Sequence, residues 1–202
     1  MFKKFNKTKR IMFLSLVLMM SLFLISACSK SDAEDANLGV IKKVLELQFT
    51  GPDEAFMDLL WNPKYKTVVN GKEENKELDK YVMEVYGPYF VDSYLDTFLN
   101  AFGTTYQSTA YHSGYKLRVK DIAIKQGEKM SNLYTFVATV GYQKNDEEEK
   151  TANVSGEVIF STKEEGKIGR FQYGDEDGLL LTMKKQWINE FVGFTNGFFN
   201  KK

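Results

Sequence analysis

At Tyr115 the spacing of apolar residues changes from helical to alternating, and that single switch limits the folds open to this chain. Before it, Val40, Ile41, Val44, Leu45, Leu47 and Gln48 fall on one side of a helix, with Lys42, Lys43 and Glu46 on the other. After it, Tyr115, Leu117 and Val119 alternate with Lys116, Arg118 and Lys120. Ile122 and Ile124 continue one place out of step, which predicts a β-bulge. Tyr134 to Tyr142, Val154 to Phe160 and Lys167 to Tyr173 give three more strands, joined by short polar connections that predict antiparallel hairpins. Helices first and a four-stranded meander afterwards is an α+β arrangement, with the N-terminal helices packed on a curved sheet.

The helical half carries its own punctuation. Gly51-Pro52 separates the first helix from a second, with Pro52 expected in its first turn and Asp53 and Glu54 at its positive end. Phe56, Leu59, Leu60 and Trp61 form that helix's expected apolar side, and Asn62-Pro63 ends it. Asn70-Gly71 is a turn signal in a polar stretch. A long helical segment is expected from Lys76 to about Phe102, with Gly87-Pro88 acting either as a kink or as a fresh start. A last helix, Leu179 to Phe191, closes the chain.

The extreme amino terminus is of another kind. Lys3, Lys4, Lys7, Lys9 and Arg10 precede seventeen residues, Ile11 to Ala27, that are apolar or serine. As one helix these would reach roughly 25 Å, short for a bilayer core of about 30 Å. The segment ends Ile25-Ser26-Ala27-Cys28, and Cys28 is the sole cysteine, so no internal disulfide competes for its thiol. Met1 to Cys28 resembles the signal peptide and lipobox of bacterial lipoproteins. The resemblance implies cleavage before Cys28, a diacylglyceryl lipid and further acyl chains on Cys28, and residence at the extracytoplasmic face of the cell membrane. The expected organisation is a signal peptide over 1–27, a lipid-anchored tether over 28–37, and one α+β domain over 38–202. The envelope type, Gram-positive or Gram-negative, stays open.

Charge narrows the partners. Removing five basic and no acidic residues from a chain with 27 of each leaves five more acids than bases, so nucleic acid is an unsuitable partner. An envelope protein partner is compatible with the anchor.

Candidate chemistry is sparse. Around the helix-to-sheet junction lie Tyr86, Tyr89, Phe90, Tyr94, Phe98, Tyr106, Tyr111 and Tyr115, which either fill the core or line a ligand pocket. His112 is the sole histidine, Cys28 is committed to lipid, and no Gly-x-Ser-x-Gly elbow exists; the sequence assigns no catalytic residue, metal ligand or cofactor. Asp92 and Asp96, one turn apart, form either a carboxylate pair or a solvated helix face. Asp175 and Asp177 begin like a calcium loop, but no glutamate closes it, and a tight acidic turn is expected. Trp187, Ile188, Phe191, Val192, Phe194, Phe198 and Phe199 either pack on the domain or meet a partner or the bilayer.

In order and length of elements, Leu38 to Leu181 resembles the NTF2-like, cystatin-related superfamily, whose members wrap a bent sheet around helices into a cone with an interior pocket. With the anchor and without a catalytic constellation in the sequence, the expectation is a non-enzymatic NTF2-like domain that binds a protein partner or small apolar ligand. Two alternatives stay open: an enzyme of the same superfamily using the tyrosine-lined pocket and an aspartate such as Asp92, or a structural subunit of an envelope complex.

Overall fold

In the computed structural model, residues 36–185 are described, and all but the first four belong to the unit that runs from Val40. Cys28 and its lipobox, most of the tether, and the aromatic run from Trp187 to Phe199 lie outside the described residues. Helix α1, residues 36–49, buries Ile41, Val44, Leu45, Gln48 and Phe49 and exposes Lys42, Lys43 and Glu46, the division its spacing dictates. Helix α2, Glu54–Trp61, begins two residues after Pro52, which was expected in its first turn: Asp53 is the N-cap, its carboxylate accepting from the Phe56 amide at 3.0 Å, and Pro52 stands outside the helix. The apolar side of α2 also differs. Phe56 and Met57 are buried, while Trp61, at the far end of the helix, is 48 % exposed.

Asn62 caps a short 3₁₀ turn, Pro63–Tyr65, and a small hairpin follows, β1 Thr67–Val69 with β2 Lys72–Glu74. Its two-residue turn uses Asn70 (φ 52°) and Gly71 (φ 76°), the positive-φ pair that matches strand twist. The turn was legible; the strands, all exposed save the half-buried Glu74, had no apolar alternation to announce them.

The expected helix from Lys76 to Phe102 is three pieces. Helix α3, Lys76–Val85, stops before Gly87-Pro88, and α4, Asp92–Phe98, starts only after a turn over 86–89 and the bridged residue Phe90. The cause is tertiary. Val91 N–H donates to the Ile168 carbonyl at 3.0 Å and Ile168 N–H donates to the Tyr89 carbonyl at 2.8 Å, so residues 89–91 run alongside the sheet instead of coiling. Beyond α4 a π-helical turn, Leu99–Gly103, leads into a helix the spacing did not predict, α5 Thr105–Ser113. Gly114, at φ 70°, ends α5 in the left-handed conformation that a Cβ disfavours.

The four long strands are β3 Tyr115–Gln126, β4 Leu133–Lys144, β5 Lys150–Phe160 and β6 Ile168–Tyr173, paired antiparallel in the order β3-β4-β5-β6. The register shift falls between Val119 and Asp121, where the broken alternation places it. The chain is thus α+β with a four-stranded antiparallel sheet. Each edge of the sheet receives one further bridge: Gly51 pairs with Leu117 on β3, and Phe90 with Ile168 on β6.

Aromatic rings fill the space between helices and sheet. Phe90 stacks on Phe98 at 4.1 Å, Phe98 meets Phe171 edge-on at 5.3 Å, and Phe171 stacks on Phe136 at 5.6 Å. Phe49, Tyr106 and Tyr173 form a second cluster with centroids 4.9 to 5.9 Å apart. Such pairs add roughly 0.5–1.5 kcal/mol each beyond the burial of their area. No helix among the described residues is long and apolar enough to cross a membrane.

Candidate functional site

The eight aromatic candidates separate into distinct environments. Phe90 and Phe98 are buried in the ring stack, and Tyr115 is buried at the start of β3. Tyr94 is half-buried and bonds the Phe171 backbone through its hydroxyl. Tyr89 is half-buried in the segment that pairs with β6. Tyr106 is buried, its hydroxyl donating to Asp175 at 2.9 Å. Tyr111 is exposed beside His112, whose ring also lies 5.1 Å from that of Trp61. Tyr86 differs from the rest, because it is buried yet lines an open cleft of about 690 Å³.

That cleft opens between α1, the start of α2, α3 and the bulged part of β3. Its polar centre is Asp53. One carboxylate oxygen caps α2, and the other accepts the Tyr81 hydroxyl at 2.6 Å. Tyr81 is held face to face on Phe56, with ring centroids 5.3 Å apart and planes at 11°. Partial burial and the hydrogen bond to the Asp53 carboxylate both raise the Tyr81 hydroxyl above the usual phenol range, so Tyr81 stays protonated. Burial likewise raises Tyr86, and the donor it meets, Gln48, opposes that shift.

Gln107 on α5 positions the segment that carries Asp53. Its amide nitrogen donates to the carbonyls of Leu47 and Thr50, both at 2.9 Å, and to that of Gln48 at 3.3 Å, all at the end of α1. Its amide oxygen accepts from the Asp53 backbone N–H at 2.7 Å. One buried carboxamide therefore satisfies the carbonyl end of one helix and the amide start of the next. Neither Asp53, Tyr81 nor Gln107 stood out as a site residue in the sequence. Asp53 read as a helix-start residue, and the partners that give it a further part lie 28 and 54 positions away.

A second concavity, about 540 Å³, lies between α2, α3 and α4. Trp61 and Met83, 48 % and 52 % exposed, stand on it with Leu78 and Leu95, and its charged lining residues are Asp79 and Asp96. Asp92 does not join Asp96 there. Its side chain is 81 % exposed, with the Lys167 ammonium 4.0 Å away.

The acidic turn is occupied by the protein's own donors. Asp175 accepts from Tyr106 and from the Leu180 amide, Glu176 from the amide and hydroxyl of Ser155, and Asp177 from the Asn153 amide at 2.8 Å. These bonds fix the start of the helix that runs from residue 179 to the last described residue, 185. Among the described residues no group of three or more His, Cys, Asp or Glu side chains is arranged to hold a metal. Compared with family models, curated proteins and solved structures, the chain matches none of them.

Proposed function

We propose that this protein is a lipid-anchored, extracytoplasmic binding protein, non-enzymatic, that takes a small ligand in the cleft centred on Asp53, Tyr81 and Tyr86. The lipobox-like Ile25-Ser26-Ala27-Cys28 supports the anchor, and the order of helices and strands supports an NTF2-like wrap. The observation that carries the binding reading is the Tyr81–Asp53 bond in an open cleft, since it holds a carboxylate and a protonated phenol in fixed positions on accessible surface. Polar groups held this way favour a ligand with hydrogen-bonding groups over the purely apolar one first expected.

A second reading is contact with an envelope protein through the α2–α4 concavity. Trp61 and Met83 favour it, being large apolar side chains left open on an acidic-rimmed surface.

One experiment separates these readings. Backbone amide spectra of the mature lipidated chain in detergent are recorded while low-molecular-weight and protein fractions of envelope extract are added. Shifts gathered at Leu47, Thr50, Tyr86 and Val119 support the cleft, and shifts gathered at Leu60, Met83 and Asn100 support the second reading. A spectrum that neither fraction changes rejects both. Mass spectrometry of the same material tests the anchor, because an unmodified Cys28 or an intact Met1 terminus excludes it.

A further inference from the structure

Charge and hydrogen-bonding capacity in the cleft select among ligand classes. Lys42, Lys43 and Lys120 line it together with Glu46, Asp53 and Asp121, so basic and acidic side chains balance. Lys43 is also paired with Glu46 at 3.7 Å, and Lys120 with Glu149. Neither an anion nor a cation meets a net opposite charge there.

The Asp53 carboxylate already accepts an amide N–H and a phenol O–H, which leaves lone pairs for further donors. The Tyr86 hydroxyl supplies the complementary half. Gly103 presents a carbonyl, which only accepts, so the amide nitrogen of Gln48 faces it at 3.2 Å. The same nitrogen donates to the Tyr86 oxygen at 3.3 Å. Tyr86 is therefore an acceptor toward Gln48, and among the described residues its proton meets no acceptor. The Gln48 amide oxygen, fully buried, likewise has no hydrogen-bond partner among the described residues. A group that satisfies this surface accepts from Tyr86 and donates toward Asp53. An uncharged hydroxyl does both, and adjacent hydroxyls on one small ring do so at once, whereas an ammonium only donates and a carboxylate only accepts.

We infer that the cleft binds a neutral, polyhydroxylated ligand of sugar size, with one ring hydroxyl between Tyr86 and Asp53. The cleft volume, about 690 Å³, lies within the range of small-molecule sites. This inference rests on the cleft being the binding site and adds the class of molecule it takes.

The test uses the mature chain and defined probes: methyl β-glucoside and N-acetylglucosamine as neutral sugars, ethylammonium as a cation that only donates and acetate as an anion that only accepts. The expected result is saturable shifts at Leu47, Tyr86 and Val119 with at least one sugar and none with ethylammonium or acetate. Tyr86→Phe, which removes only the hydroxyl, should weaken sugar binding about tenfold, the loss of one hydrogen bond to a neutral group. Val119→Trp, which narrows the opposite wall without touching the Asp53 network, should abolish it. Should ethylammonium or acetate shift those amides while the sugars do not, the ligand class is wrong and the cleft remains the site. Should no probe shift them at millimolar concentration, the cleft loses its role altogether. Sugar binding unaffected by Tyr86→Phe, in a variant with unchanged circular dichroism, would overturn the placement of the hydroxyl.

Discussion

Tyr94 and Phe171 are joined twice through one hydroxyl: it donates to the Phe171 carbonyl at 2.8 Å and accepts from the Phe171 amide at 3.0 Å. Phe171 stands opposite Val158 in the sheet and turns both backbone groups to the outer edge of β6, where among the described residues no further strand stands. A side chain of α4 thus takes the place of a neighbouring strand. Tyr94→Phe keeps the ring and strands both groups, and it should lower unfolding stability by about 1–3 kcal/mol. The midpoint of urea unfolding measures the loss; an unchanged midpoint would mean that water replaces the hydroxyl at no cost.

Gln107→Leu should be among the most damaging single changes in the helical half. It leaves three carbonyls and the Asp53 amide without their partner at a buried junction. The expected cost is about 3 kcal/mol, the penalty for buried groups losing their bonds. Because the same amide sets the position of Asp53, ligand affinity in the cleft should fall even at temperatures where the variant is folded. Calorimetric unfolding and a binding titration check the two effects separately.

Alkaline pH should unfold the protein in a tyrosine-dependent way. Burial raises the hydroxyls of Tyr86, Tyr106 and Tyr173, and the Asp175 carboxylate adds to the shift in Tyr106 and Tyr173. A raised value means that the folded state holds these protons more tightly than the unfolded chain does. Stability is therefore unaffected below the ordinary phenol value of about 10 and falls as pH climbs beyond it. Absorbance of ionised tyrosine should rise in two steps, the second coinciding with loss of structure. Tyr106→Phe should move that second step to higher pH.

Acid acts through a different group. Glu149 lies between Arg118 and Lys120 on the face of β3 opposite the core, and their hydrogen bonds, Arg118 foremost, lower its carboxyl to about 2. The folded value is depressed, so the contribution of this cluster is complete above the ordinary glutamate range and is lost as pH falls toward 2. Carboxyl carbon shifts should show Glu149 titrating near 2, and Arg118→Ala should bring it up toward the usual range. High salt should have the same direction of effect, since Arg118 is exposed and Glu149 and Lys120 are only partly covered, so solvent ions screen the cluster.

Much of the sheet was readable because each strand obeys the same rule over many residues. Tyr134, Phe136, Ala138 and Val140 are all buried, as their alternation requires, and even the bulge near Lys120 left a one-place slip in the pattern. Gln48 also fell on the buried side of α1 by spacing alone. The failures share a different cause. Nothing local says that residues 89–91 will run beside Ile168, about eighty positions away, or that Gln107 will close the turn at 50–53. Trp61 is apolar and helical, and nothing local says that it will stand about half open at the surface. Of the aromatic candidates only Tyr86 reaches the cleft, because ring spacing reports a face of a helix and cannot report which part of that face another element covers.

The carboxamide of Gln107 turns the corner at 50–53 into a pinned joint rather than a swivel. Any motion that widened the cleft by swinging α1 from α2 would have to draw the side chain of α5 out of register with both. Entry of a ligand should then proceed by side-chain rotation at the rim, with the floor staying where the fold sets it.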